Sequence, residues 1–432
     1  MRMSRARHRQ AALLVLGLMP ASLLAADGGW QHGYDNGASL TLGATARVRS
    51  FSYSPVRFGM GATDDGFTLY RGQFSADLRW ADHWQALAEL GVYDQTGRKG
   101  GPGGSDRSGP DLHQAYLAWN SSGHVLRLGR QEMPFGSSRV IGVRDGQNIR
   151  QSFDGLRAAR LLGERGRIDA IAVRPVETRS GGFDDRPDHD VGLWGIYAAL
   201  APAGSAPLKL DVYWLGYQRE AGRFAMGSGR EYRNSFGTRL HGKASGWDWN
   251  NELIWQNGRF GNGDVRAWTI STDNSYTFAD VAWAPRLGLK ADVASGDRDP
   301  HDGRLQTFNA MFPRAPYFSE SSLLAPANLI DLQPELTVTP TQDTQWTLGW
   351  QFAWKHRRAD GIYTTPTPAV PLAGTAGTAR WIGHQLKLQG SWQITPQWEA
   401  RLDLAHFQAG AGLRQAGGRD TDFVATTLEF TW

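Results

Sequence analysis

The last nine residues constrain the fold more than any other feature of the chain. Val424, Thr426, Leu428, Phe430 and Trp432 fall on one side of an extended backbone, and Ala425, Thr427, Glu429 and Thr431 on the other. Successive strand side chains point to opposite faces, so this segment shows one row to an apolar medium and one to water. The pattern recurs upstream. Trp398, Ala400, Leu402 and Leu404 oppose Glu399, Arg401 and Asp403. Trp346, Leu348, Trp350, Phe352 and Trp354 oppose Thr347, Gln351 and Lys355. Val281, Trp283, Leu287, Leu289, Ala291 and Val293 oppose Arg286, Lys290 and Asp292, and Tyr70, Phe74, Ala76, Leu78 and Trp80 oppose Arg71, Gln73, Asp77 and Arg79.

A soluble β-sandwich also alternates, but three features favour a membrane barrel. The apolar rows carry Trp near their ends, where an amphipathic ring suits a membrane–water interface. The opposing rows carry full charges. Tight turns such as Ala81-Asp82-His83, Ser245-Gly246 and Thr395-Pro396 interleave with longer connections at 54–65, 95–110, 134–152, 177–188, 220–230, 296–341 and 359–379. Short turns at one end and long loops at the other are the layout of outer-membrane barrels, whose strand number is even in bacterial single chains. About seventeen rows can be counted, so the sequence predicts an all-β, single-chain transmembrane antiparallel β-barrel of 18 strands, with 16 as the fallback. Strands start near residue 38, without an N-terminal plug, and a barrel this wide has room for a water-filled lumen.

Residues 1–26 are set apart. Arg2, Arg5, Arg7, His8 and Arg9 precede an apolar run from Ala11 to Leu18 that continues past Pro20 to Ala26. The run is too short to span a bilayer as a helix and reads as a cleaved secretory signal, leaving 27–432 as the barrel. The mean hydropathy of −0.44 would suggest a soluble protein, yet alternating rows average to such a value. With 46 basic and 42 acidic residues, a formal charge of +4 gives no argument for nucleic acid, and a chain of this length without Cys needs no disulfide staples.

Motifs for catalysis are missing: there is no HExxH and no GxSxG, and Gly101-Pro102-Gly103-Gly104 lacks the Lys-Ser/Thr of a phosphate cradle. Asp297-Arg298-Asp299-Pro300-His301-Asp302-Gly303 has the look of a calcium loop without its closing Glu. No catalytic residue, metal or cofactor is expected. What remains is the polar row. Parity turns Arg47, Arg49, Arg71, Arg79, Arg127, Arg157, Lys209, Arg233, Arg239, Lys243, Arg286, Lys290, Lys387 and Arg401 inward, with a smaller set of acids. These charges either pair with one another and wet the wall, or bias the bore toward anions.

Two segments go beyond the generic pattern. One runs through Leu128-Gly129-Arg130-Gln131-Glu132-Met133, Phe135-Gly136-Ser137-Ser138-Arg139-Val140, Asn148-Ile149-Arg150 and Phe153-Asp154-Gly155-Leu156-Arg157. The other runs through Ser295-Gly296-Asp297-Arg298, Thr307-Phe308-Asn309-Ala310-Met311-Phe312-Pro313-Arg314 and Ala327-Asn328-Leu329-Ile330-Asp331-Leu332. Together they resemble the alginate export family of outer-membrane proteins, over about residue 38 to Trp432. The resemblance implies a monomeric barrel that exports an acidic polysaccharide through an arginine-rich constriction with gating loops at its mouths. Carried over by position, Arg130, Asp154, Arg144 and Arg150 belong to the constriction region, and Arg71 and Arg401 match inward arginines. Arg298 and Arg314 fall in a connection that resembles the family's long periplasmic gating loop. Parity disagrees at one residue, placing Arg130 on the outward row with Leu126 and Leu128.

The expected function is passive export of an anionic, alginate-like polyuronate across the outer membrane of a Gram-negative bacterium. The alternative is a general or anion-preferring uptake porin for small carboxylates or sugars. Expected partners are the anionic solute, outer-membrane lipid and lipopolysaccharide, and a periplasmic export machinery. A third class, an outer-membrane lipase or protease, would need a Ser/His or Asp/His set at the rim that the sequence does not offer.

Overall fold

The computed structural model describes residues 29–34, 37–61, 63–201, 207–365 and 370–432; the expected signal segment, 1–26, lies outside them. Alternation becomes a closed antiparallel barrel of 18 strands. In chain order these are β1 (Ser39–Ser54), β2 (Asp65–Trp80), β3 (Trp84–Thr96), β4 (Ser108–Ser121), β5 (His124–Gln131), β6 (Phe153–Leu161), β7 (Gly166–Glu177), β8 (Val191–Leu200) and β9 (Leu208–Phe224). They continue as β10 (Gly227–Ala244), β11 (Trp247–Phe260), β12 (Gly263–Thr277), β13 (Arg286–Ala294), β14 (Leu329–Thr341), β15 (Thr344–Lys355), β16 (Trp381–Gln393), β17 (Trp398–Ala409) and β18 (Thr421–Thr431). The ring closes where β1 pairs with β18, with Ala46 opposite Phe430 and Ser54 opposite Asp422. Closure removes the free edge whose unpaired backbone groups lipid cannot satisfy. No helix among the described residues is long and apolar enough to cross a membrane.

The two faces follow the parity of the sequence. Leu126, Leu128, Leu156, Phe236, Leu253, Trp255, Leu289 and Trp350 are exposed on the outside. Arg47, Arg71, Glu89, Asp169, Asp211, Arg233, Glu252 and Lys387 are buried inside. Trp80, Trp84, Trp119, Trp247, Trp346, Trp392 and Trp398 cluster at the short-turn ends, and Trp80 stacks on Trp84 at 6.3 Å. That is an interfacial aromatic girdle.

Connections after even-numbered strands are short. In Ser245-Gly246, both residues have positive φ, 48° and 83°, which gives the turn the twist a two-residue hairpin requires. Those after odd-numbered strands are long, with two exceptions. The expected loop at 220–230 is instead a tight hairpin, because β9 and β10 extend until only Ala225 and Met226 join them. β11 and β12 are likewise joined by Gly261 and Asn262 alone. Val281 and Trp283, expected on a strand, lie in the connection between β12 and β13.

The expected open lumen is filled over its long-loop half. The connections 132–152 and 295–328 fold into the bore and hold each other. Gly142 N–H donates to Phe312 O at 2.8 Å, Phe312 N–H to Val140 O at 3.0 Å and Arg314 N–H to Ser138 O at 2.7 Å. Met133, Phe135, Val140, Ile141, Phe308, Met311 and Phe312 then form a core with inward residues such as Tyr197, Tyr213, Leu215 and Ile254. Tyr317, Phe318, Leu323 and Leu324 make a second core with Phe58, Ile362, Ile382 and Phe407. Buried apolar surface of this kind stabilises the loops by about 25 cal/mol per Å², so they sit in the lumen as packed structure.

Candidate functional site in the lumen

β1 and β2 place Arg47 directly opposite Arg71, a like-charged pair that the strand register forces together. The 132–152 loop resolves the conflict. Asp145 accepts from Arg71 at 2.7 Å and from Arg47 at 3.4 Å, with Arg150 at 3.9 Å. Consecutive carbonyls do the rest: Arg47 donates to the oxygens of Asp145 and Gln147, Arg49 to Gly146, and Arg71 to Asp145, Gln147 and Asn148, all at 2.6–3.0 Å. Arg49 also pairs with Glu320 from the 295–328 loop. Burial alone would raise the Asp145 carboxyl; Arg71, Arg47 and Arg150 outweigh it and hold the group well below the ordinary carboxylate range.

Beside this ladder, Arg150 bridges Glu132 at 2.7 Å and Glu89 at 3.3 Å, and His113 Nε2 lies 2.7 Å from Glu132. Glu89, His113 and Glu132 bring ligand atoms as close together as a metal would need. Arg150 already supplies the cation there, so the group reads as an ion-pair network. Arg144 tucks its guanidinium 5.3 Å over Phe312 and donates to Met311 O; burial lowers its pKa to about 10. A cavity of about 260 Å³ remains at this level, lined by His113, Arg144, Arg150, Gln151, Thr178 and Asp185 among others.

The short-turn half of the bore has a different pattern, in which one carboxylate serves two cations. Asp169 takes Arg157 at 2.8 Å and Arg167 at 2.5 Å. Asp248 takes Lys243 and Arg286, and Glu335 takes Lys290 and Lys387. Next to the first of these, Arg127 stands opposite Arg157, 4.1 Å over the Tyr116 ring, and its Nε and Nη1 have no hydrogen-bond partner among the described residues. Elsewhere the ratio is reversed. Arg401 lies between Glu399 and Glu429, and Arg139 between Glu252 and Asp292.

Several expected positions are corrected. Arg130 and Asp154 are not in the bore; they are cross-strand partners on the outward row, joined at 2.9 and 3.0 Å, with Arg130 also donating to Leu112 O. Parity located Arg130 correctly, and the positional carry-over did not. Arg298 and Arg314 are apart: Arg298 is exposed at the mouth, whereas Arg314 is half-buried, 5.7 Å from the Tyr317 ring. Their connection spans 295–328, because 329–341 is β14, and it leaves the barrel at the long-loop end. Short turns face the periplasm, so this loop is extracellular and not periplasmic. In the calcium-like stretch, Asp299 and Asp302 cap nearby backbone N–H groups of His301 and Arg304, while Asp297 packs beside Asp360. Sequence reasoning missed Asp145 and the loop anchor Arg139, because parity carries no information once a chain leaves its strand.

The sequence profile of the alginate export family matches residues 38–426, nearly the whole barrel. The chain belongs to the alginate export family. Its fold is that of solved outer-membrane porins. A BenF-like porin from Pseudomonas fluorescens is 9% identical at a TM-score of 0.63, over 91% of this chain and 98% of that one. OccK8 (OprE) from Pseudomonas aeruginosa is 11% identical at 0.60, over 93% and 99%. OccAB1 from Acinetobacter baumannii is 10% identical at 0.59, over 91% and 96%. A search of curated protein sequences finds no match. Family and fold together make the protein a β-barrel channel of a Gram-negative outer membrane.

Proposed function

We propose that this alginate-export-family channel passes carboxylate-bearing solutes, with an acidic polysaccharide as its principal cargo, exported from the periplasm. The observation that carries the reading is the Arg127–Arg157–Arg167 group: among the described residues Asp169 is its one ion-pair partner, and Nε and Nη1 of Arg127 make no hydrogen bond. A planar two-donor fork matches a carboxylate. Lys243 and Arg286 on Asp248, and Lys290 and Lys387 on Glu335, add surplus positive charge around the wall, three of these four as ammonium point charges. Many weak sites suit a polyuronate, because conduction needs binding strong enough to enter and weak enough to leave.

A second reading, uptake of small carboxylates, is favoured by one observation: a cavity of about 260 Å³, the size of a small solute, lies among the inward loops at the extracellular level. A related fold, Pseudomonas aeruginosa OpdK, has been crystallised with vanillate. Planar-bilayer recording separates the two. For export, polyuronate added on the periplasmic side blocks current at low concentration and neutral dextran of equal length does not. For uptake, small carboxylates carry current and the polymer leaves it unchanged. Under either reading, Arg127→Gln with Arg167→Gln lowers anion preference in reversal-potential measurements; unchanged selectivity would remove the cationic wall from the mechanism.

A further inference from the structure

Four arginines stand at the outer rim of four consecutive strands. Arg223, Arg230, Arg259 and Arg266 are all exposed and lie on β9, β10, β11 and β12. Parity puts them on the lipid side. Arg230 continues the row of Tyr232 and Phe236, Arg259 that of Leu253 and Trp255, and Arg266 that of Trp268 and Ile270. Arg223 reaches this face through the register shift between Arg219 and Gly222, which sends its neighbour Phe224 into the barrel. The register makes them one patch: Arg223 opposes Ser228, Tyr232 opposes Arg259, and Asn257 opposes Arg266.

The charges are mostly unspent. Arg230 has Glu220 at 3.1 Å. Asp264 opposes Arg259 in the register, yet no ion pair forms between them. Among the described residues, the side chains of Arg223, Arg259 and Arg266 make no hydrogen bond or ion pair. Cations at the same end of other strands are paired: Arg130 is tied to Asp154, Arg174 to the carbonyls of Asp188 and His189, and His406 to Asp422.

Their height fixes what they can meet. From Trp247 in the periplasmic girdle to Arg259 is twelve residues along β11. At about 3.3 Å per residue and a tilt of about 40°, that is roughly 30 Å, against an apolar band of about 25 Å. The guanidinium groups therefore sit just past the hydrocarbon, at headgroup level, above the rings of Tyr232, Trp255 and Trp268. The outer leaflet there is built from a phosphorylated glycolipid, and guanidinium forks fit phosphate oxygens.

We propose that this rim is a fixed binding site for lipopolysaccharide. Arg223, Arg259 and Arg266 grip its lipid A phosphates, and the aromatic residues beneath pack against its acyl chains.

Native mass spectrometry of the full barrel in detergent, titrated with diphosphorylated lipid A, tests this. The triple variant Arg223→Gln, Arg259→Gln, Arg266→Gln should bind at least about tenfold more weakly than the parent, since each arginine adds attraction at a charged membrane surface. The parent should discriminate similarly against lipid A stripped of its phosphates. Arg127→Gln, inside the bore, should bind lipid A as the parent does. Unchanged heat-modifiable migration and conductance of the triple variant certify its fold. Equal occupancy in the triple variant and parent, equal binding of the phosphate-free lipid, or loss of binding through Arg127 instead would each overturn the proposal.

Discussion

Replacing 132–152 and 295–328 by four-residue turns is expected to raise single-channel conductance several-fold, on the order of what an unobstructed 18-stranded barrel provides. The geometry makes the experiment clean. Gln131 pairs with Phe153 and Ala294 with Leu329, so both loops begin and end on directly opposed residues and each can be cut back to a plain hairpin. The two loops also hold each other through the Gly142, Phe312 and Arg314 hydrogen bonds. Shortening one alone should therefore give a smaller rise and noisier current, with the remaining loop less well anchored. The packed cores that the loops share with β8, β9, β11 and β16 are lost, so the melting temperature should fall while the strand ladder persists. The shortened barrel must still show heat-modifiable migration. Conductance equal to the parent in that folded barrel would mean the loops do not occlude the bore.

The strands were legible because a lipid-facing row and a lumen-facing row must alternate, and each of Val424 to Trp432 already declares its side. The strand number of 18 was legible from about seventeen rows, since a ring paired antiparallel throughout closes only with an even count. The sidedness of 295–328 was not. It depends on whether the preceding strand is odd or even in the order, and Val281 and Trp283 looked like strand residues although they belong to a turn. The hairpin between β9 and β10 was hidden for the opposite reason: Gly222, Gly227 and Gly229 read as loop, and a register shift keeps the pairing going through them. Which side chains turn inward could be read residue by residue, but their charge balance could not. Which carboxylate is shared by two cations, as Asp169 and Glu335 are, depends on strand stagger. The inward loops were beyond the reach of periodicity, because Asp145 meets Arg47 and Arg71 only by crossing the bore.

Asp145→Asn should loosen the 132–152 loop at every pH, whereas the parent loop stays pinned across the physiological range. The sign follows from the direction of the shift. A carboxyl held below its ordinary value contributes stability above the unfolded pKa of about 3.9 and loses it only as pH falls through the lower folded value. Arg71, Arg47 and Arg150 depress Asp145 well under that range, so lowering the pH from 7 to 4.5 leaves the parent contact intact. Breaking a buried ion pair costs about 3–5 kcal/mol, but the Asp145 side chain is 45% exposed to the lumen. Water screens part of the loss, and about 1–2 kcal/mol is the reasonable expectation. That corresponds to about tenfold faster amide hydrogen exchange over residues 143–150. The backbone carbonyls that Arg47, Arg49 and Arg71 hold limit the effect to the loop and spare the barrel. The same substitution leaves Arg47 and Arg71 opposed without their shared anion, so anion preference should rise as the loop loosens. The Asp145 carboxylate is the part of the ladder open to the lumen. Exchange rates and selectivity both equal to the parent would show that the carbonyls alone pin the loop and that Asp145 does not screen the ladder.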